Sequence, residues 1–214
     1  MRVVTRCAVT LIVGITSGTA MEVIMGDLFV GLQTGPGSTS MTVENGTRND
    51  TVEEDPAWSV GLRAGGRKKI FARPGASVAP IIGAEILLNQ ASYQPGSSDT
   101  RVGVAVAPGI TWSCTDRVSL LLQGVLGIGR ERFALGETSS NSSQTLSGTY
   151  RQMAIRGGVT YSLSPYYVVG FELEWGKAPG TLSGDGLNLE VEPHGLSGGL
   201  LLLWRLDPYP TPLE

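Results

Sequence analysis

Residues 166–176 read Tyr-Tyr-Val-Val-Gly-Phe-Glu-Leu-Glu-Trp-Gly, and large apolar side chains alternate in them with small or charged ones. The apolar series is Tyr167, Val169, Phe171, Leu173 and Trp175. Positions 170, 172, 174 and 176 hold only glycine or glutamate. Because successive side chains of a β-strand point to opposite faces, this segment predicts a strand with one apolar and one polar face.

The same two-residue period recurs in eight runs that are bounded by Gly, Pro, Ser, Asn or Asp. The runs are residues 24–34, 57–66, 77–90, 100–113, 117–133, 148–163, 166–176 and 192–206. Each run has at least the 9 to 11 residues, roughly, that a tilted strand needs to cross a bilayer. After the N-terminal region, no segment has the roughly 18 consecutive apolar residues of a transmembrane helix.

The connections between these runs alternate in length. Four are predicted as long polar loops and two as tight turns: 35–56, 91–99, 134–147 and 177–191 against 114–116 and 164–165. The link 67–76 is the exception, since it is longer and basic. Its basic side chains are expected to lie either against anionic lipid headgroups or in solvent. Long loops opposite tight turns are typical of outer-membrane barrels, and an even strand count closes the sheet without a free edge. The sequence therefore predicts an all-β fold, an eight-stranded antiparallel up-and-down transmembrane β-barrel.

Aromatic residues follow the apolar series and lie near the ends of their runs. They are Trp58, Trp112, Tyr161, Tyr167, Trp175 and Trp204. Amphipathic rings prefer the headgroup level of a membrane, so we predict that these six residues form aromatic girdles at the two interfaces. The alternative is a soluble β-sandwich with core tryptophans, which more often lie in the middle of a strand.

The polar series is dominated by Gly, Ala and Ser with single charges, which suits the crowded interior of a narrow barrel. The charged residues of this predicted inner face are Asp27, Arg63, Glu85, Arg101, Glu131, Arg156, Glu172, Glu174 and Arg205. Charges inside a filled barrel must pair because their desolvation is otherwise costly. We therefore predict a lumen ion-pair network that closes the barrel, formed by Arg63, Glu85, Arg101, Arg156, Glu172 and Glu174. An ion gate at the same place is the alternative.

The N-terminus has the order of a signal peptide: Arg2 and Arg6, an apolar stretch, then small residues up to Ala20. We expect residues 1–20 to be removed during export through the Sec pathway, although a first core strand is the alternative. Removal would change the formal net charge from −3 to about −5, too acidic for a nucleic-acid-binding protein. Cys114 would then be the only cysteine, which excludes a disulfide framework and a structural zinc site. We expect neither a metal nor a cofactor.

Two arrangements invite a catalytic interpretation. Glu172 and Glu174 could act as an acid/base pair, but two carboxylates on one strand face beside arginines are more simply a salt-bridged interior. His194 and Ser197 suggest an esterase, yet three residues of separation place them on opposite faces of a strand. We therefore predict no catalytic site and a protein that is not an enzyme.

Residues 197–204, Ser-Gly-Gly-Leu-Leu-Leu-Leu-Trp, resemble the C-terminal signal that the barrel assembly machinery reads. They depart from it because ten further residues follow. Together with the eight runs, this segment makes residues 21–206 similar to the small outer-membrane barrels typified by the OmpA transmembrane domain, OmpX and the opacity proteins. The Pro-rich tail 207–214 is too short for a peptidoglycan-binding domain.

That resemblance implies a monomer in the outer membrane of a Gram-negative bacterium, with a structural or surface-interaction role carried by the long loops. The partners it implies are outer-membrane lipids or lipopolysaccharide, the barrel assembly machinery, and a host or cell-surface ligand at the loops. Three alternatives stay open: a narrow porin-like channel, a lipid-modifying enzyme, and a soluble secreted barrel that binds apolar ligands.

Overall fold

A computed structural model of the chain describes residues 26–45, 48–70, 77–92, 97–134, 145–184 and 187–206. The predicted signal peptide 1–20 and the tail 207–214 lie outside the described residues. Within the described ranges, no helix is both long and apolar enough to cross a membrane.

The described residues form one antiparallel sheet whose last strand pairs with its first. Its strands are β1 (Asp27–Asn45), β2 (Arg48–Lys69), β3 (Val78–Ser92), β4 (Ser98–Ser113), β5 (Val118–Ala134), β6 (Thr145–Ser162), β7 (Tyr167–Lys177), β8 (Gly180–Gly184) and β9 (Leu187–Arg205).

β7 and β8 act as a single strand of the wall. Both lie between β6 and β9, and the register does not shift from one to the other: Met153 pairs with Lys177 and Tyr150 with Gly180. The interruption falls at Ala178 and Pro179, where proline has no N–H to donate to the ladder. The wall is therefore a ring of eight strands, which confirms the predicted all-β, eight-stranded antiparallel up-and-down barrel.

The strands are strongly staggered around the ring. Successive ladder partners starting from Leu32 of β1 return to the same strand at Thr42, ten residues further along. They pass through Leu62, Leu88, Val102, Arg130, Thr149, Thr181 and Glu190. Ten residues rise about 33 Å along a strand, and eight strands span about 38 Å measured perpendicular to the strands, so the strands tilt by about 40° from the barrel axis. Eight tilted strands leave an interior that side chains can fill.

Two predicted loops are wrong in extent. Most of 35–56 is strand, because β1 and β2 stay paired to Asn45 and Arg48, with a register shift between Gly37 and Thr39. In 177–191, the strands β8 and β9 continue the wall. Both stretches are mostly polar, so the apolar alternation stops while the backbone hydrogen bonds continue. Alternation therefore marked only the apolar part of each strand.

The opposite end of the barrel has tight turns, as predicted. The Cys114 amide donates to the Val118 carbonyl at 2.9 Å, and the Leu163 amide donates to the Tyr167 carbonyl at 2.9 Å. The basic link 67–76 is shorter than predicted, because β2 extends to Lys69; residues 71–76 lie outside the described part.

The two faces of the wall differ in the way the alternation predicts. Large apolar side chains point outward and are exposed, as Leu200 (68%) and Ile128 (63%) illustrate. Among the side chains that the structure describes, the inner face holds buried charges and three apolar clusters. The clusters are Ala91, Phe133, Leu146, Leu182, Leu189 and Val191; then Phe29, Val168, Leu201 and Leu203; then Leu87, Ala105, Ala107 and Val125.

Candidate functional site

A cluster of five charged side chains fills the middle of the lumen. Arg63 comes from β2, Glu85 from β3, Arg156 from β6, and Glu172 and Glu174 from β7. No side chain of the five is more than 10% exposed. These residues, called the central ion cluster below, are five of the six predicted for the lumen network, and the structure brings them together.

Arg156 is the hub of the central ion cluster. Its Nη2 lies 2.6 Å from Glu85 Oε1 and 2.6 Å from Glu174 Oε2, while Nη1 and Nε donate to the same two carboxylates at 2.9 and 2.8 Å. Arg63 pairs with Glu172 and lies 3.5 Å from Glu85. Two arginines thus hold three glutamates, and the bidentate geometry makes the Arg156 contacts strong ones.

Glycines on neighbouring strands make room for these long side chains. Gly158 is the ladder partner of Glu172, and a Cβ there would lie 2.6 Å from Glu172 Cγ. Gly31 is the partner of Arg63, where a Cβ would lie 3.1 Å from Nε. Arg63 also lies over the ring of Phe29, 5.7 Å from its centroid. The small residues of the polar series therefore accommodate the charges of the lumen.

Arg101, the sixth predicted member, belongs to a separate cluster closer to the long connections. Its Nε lies 3.0 Å from Glu131 Oε1, its ladder partner, and its Nη2 pairs with Asp99. The guanidinium also lies 6.0 Å from the ring centroid of Tyr150. Asp99 was missed because it was assigned to a loop, although counting back by two from Arg101 places it on the inner face.

At the other end of the lumen, Arg67 lies 3.5 Å from Asp27, and Arg205 donates to the Ser162 hydroxyl at 3.1 Å. Arg67 had been assigned to the basic link, so this inner ion pair was also missed. Ion pairs therefore occupy three levels of the barrel interior.

A cavity of about 110 Å³ separates the central ion cluster from the Arg101 cluster. Polar groups that line it include Asn89, Arg101, Gln152, Glu174 and Ser197. Gln152 donates to Glu174 Oε1 at 2.9 Å, which ties the cavity wall to the central ion cluster. The cavity has room for a few water molecules.

The six predicted girdle aromatics all point outward, with exposed fractions between 42 and 66%. Four lie within one residue of a strand end on the tight-turn side: Trp112, Tyr161, Tyr167 and Trp204. Trp175 lies nearer the other end. Trp58 is not near a strand end, because β2 begins ten residues before it.

The catalytic candidates do not form a site. His194 is exposed and Ser197 is half-buried, and because they lie three residues apart on β9 their side chains point to opposite faces of the strand, although both residues border the cavity. Glu172 and Glu174 both contact arginine side chains. Among the described residues, no group of three or more His, Cys, Asp or Glu side chains could hold a metal ion.

No protein-family model matches the chain, and a search of curated proteins gives no match. Several solved structures are similar to it. The outer membrane protein OprG from Pseudomonas aeruginosa is 14% identical with a TM-score of 0.47, and the alignment covers 86% of this chain and 97% of that one. Neisserial surface protein A is 14% identical with a TM-score of 0.41, covering 83% and 98%. The outer membrane protease OmpT from Escherichia coli is 9% identical with a TM-score of 0.45, covering 84% and 97%.

Proposed function

We propose that the chain is a non-enzymatic outer-membrane β-barrel with a closed lumen, which acts as a structural or surface-interaction protein through its long connections. One observation carries this proposal: the barrel has its charges inside and its large apolar side chains outside. A water-soluble barrel has the opposite arrangement, since exposed apolar patches of this size are unfavourable in water.

The outward apolar surface has the height of a bilayer core. On β5 it extends from Val118 to Ile128, which is about 33 Å along the strand and about 25 Å along the barrel axis at a tilt of about 40°. Trp112 and Trp204 lie at its tight-turn edge, where a lower aromatic girdle belongs. In this orientation the tight turns face the periplasm and the long connections face outside.

The central ion cluster supports the closed lumen. The side chains of Arg63, Glu85 and Arg156 are each 1% exposed and reach across the barrel from β2, β3 and β6. An ion that crossed the barrel would have to displace paired and desolvated charges, which is costly. The protein would therefore not conduct in its resting state.

The absence of catalysis is part of the proposal. The two glutamates that could exchange protons are held by arginines, and the histidine and serine lie on opposite faces of β9. A lipid-modifying enzyme would need a nucleophile and a base within hydrogen-bond reach. A His194→Ala variant should leave lipid A unchanged relative to the wild type, and a loss of lipid A modification in that variant would contradict the proposal.

Membrane fractionation tests the location. The protein should stay in the outer-membrane fraction after extraction with alkaline carbonate and should need detergent to dissolve. Recovery in the soluble periplasmic fraction would contradict the proposal.

A narrow channel is the second candidate, and the cavity of about 110 Å³ beside Glu174 is the observation that favours it. Planar-bilayer recording separates the two. A closed barrel gives no steady conductance, and Arg156→Ala should create one by opening the central ion cluster. Steady openings in the wild type that Arg156→Ala abolishes would favour the channel.

A further inference from the structure

Three arginines form an exposed patch on the outer face of β5 and β6, just beyond the apolar surface. They are Arg130 and Arg132 on β5 and Arg151 on β6, and they are called the basic patch below. Arg130 and Arg132 share a strand face about 7 Å apart. Arg151 is the diagonal neighbour of Arg130, about 7–8 Å away.

No carboxylate is paired with the basic patch in the described part of the chain. None of its three guanidinium groups forms an ion pair there, and Glu131 between them points into the lumen. By contrast, the exposed Lys177 on β7 lies 2.9 Å from Glu192. Three like charges at this spacing repel one another, and a bound anion with several charges would relieve that repulsion.

Hydroxyl groups lie beside the arginines. Thr149 is the ladder partner of Arg130 and Ser147 is the partner of Arg132, and both are exposed on the outer face. Guanidinium and hydroxyl donors together suit phosphate oxygens, because arginine binds phosphate in a bidentate fashion.

The basic patch adjoins the apolar surface. Ile128 is the ladder partner of Arg151 and is 63% exposed, and Met153 lies two residues further along β6 and is 49% exposed. A ligand bound here would contact cations at one end and aliphatic side chains at the other. That combination matches a phosphorylated lipid better than a free anion.

The tight turn at the other end of β5 lacks this arrangement. The exposed turn between β4 and β5 carries one charge of each sign, Asp116 and Arg117, and Arg117 donates to the Tyr161 hydroxyl at 3.5 Å. That hydrogen bond raises the pKa of the Arg117 guanidinium. Arg117 is thus an exposed arginine at the other end of the barrel and serves as a matched control.

We infer that the basic patch binds a lipid with two or more phosphate groups in the outer leaflet, with the phosphates on Arg130, Arg132 and Arg151 and the acyl chains along Ile128 and Met153. The inference rests on the proposed membrane location and adds to it a specific lipid site. Hexa-acylated lipid A is the probe that has this chemistry.

The test is native mass spectrometry of the full-length barrel in a nonionic detergent during titration with lipid A. The triple variant Arg130→Gln/Arg132→Gln/Arg151→Gln should bind about 10- to 100-fold more weakly than the wild type, allowing for screening of exposed charges. The single variant Arg130→Gln should bind about threefold more weakly, and it keeps the test valid if the triple variant does not fold. Arg117→Gln should bind within about twofold of the wild type, since it changes the opposite rim.

Three results would overturn the inference: wild-type affinity in the triple variant, an equal loss in Arg117→Gln, or displacement of lipid A by inorganic phosphate at the same concentration. The last result would indicate a site for free phosphate. The gel mobility of each variant without boiling shows whether it is folded, and this separates failure of the lipid site from failure of the proposed membrane location. If the variants are folded and heat-modifiable but bind lipid A as the wild type does, only the inferred lipid site is refuted. If the wild type is water-soluble, the membrane location and the lipid site are both refuted.

Discussion

Replacement of Arg156 by methionine should destabilise the barrel strongly. Arg156 makes four hydrogen bonds of 2.6 to 2.9 Å to Glu85 and Glu174, and its side chain is 1% exposed. The variant would leave three buried glutamates facing Arg63 alone. Removal of one partner from a buried ion pair costs about 3–5 kcal/mol, and we expect a loss in that range in the free energy of unfolding.

Urea unfolding in lipid vesicles measures this loss, with tryptophan fluorescence as the signal because all four tryptophans lie on the outer surface. Arg117→Met is the control and should change stability by less than about 0.5 kcal/mol, because Arg117 is an exposed turn residue. Glu85→Gln combined with Arg156→Met should recover part of the loss, since it removes one uncompensated charge. A loss below about 1 kcal/mol for Arg156→Met would refute the idea that the central ion cluster is desolvated and tightly coupled.

Three further predictions test the wall and its orientation. Ile155→Arg on the outer face should destabilise the folded barrel in vesicles by about 2–4 kcal/mol, whereas Ile155→Leu should have little effect; equal stabilities would argue against lipid contact. Gly158→Val should cost about 1–3 kcal/mol in urea unfolding because a Cβ there meets Glu172, while Gly124→Val, with no atom within 4 Å of its Cβ, should cost less; the reverse order would contradict the packing. Cys114 is exposed in a tight turn and should react with a bulky maleimide reagent only after the outer membrane is permeabilised. Labelling of Cys114 in intact cells would indicate the opposite orientation of the barrel.

Sequence alternation predicted the wall well where its two faces differ in chemistry. On β7, the series from Tyr167 to Trp175 points outward, and Glu172 and Glu174 are buried. Alternation was less informative where both faces are alike. The paired ends of β1 and β2 have polar residues on both strand faces, so the sequence analysis assigned them to a loop. In β9, residues 200–203 are apolar on both faces, so the sequence analysis missed that Leu201 and Leu203 point inward.

The sequence predicts which charged residues face the lumen, but it does not predict which of them pair with one another. Parity places Arg63, Glu85, Arg101 and Arg156 on the inner face, but the height of each residue depends on the stagger of the strands. Strand pairing aligns Arg101 with Glu131 and Arg156 with Glu174, and so divides the predicted network into two clusters. The register, which the sequence does not encode locally, decides which charges meet.

We propose that this barrel folds with its apolar face toward lipid and its paired charges inside. The test is the electrophoretic mobility of the detergent-extracted protein before and after boiling, because closed outer-membrane barrels keep their fold in detergent until heated. The unboiled sample should show a faster band that disappears on boiling. A protein that dissolves without detergent and migrates identically in both samples would contradict it.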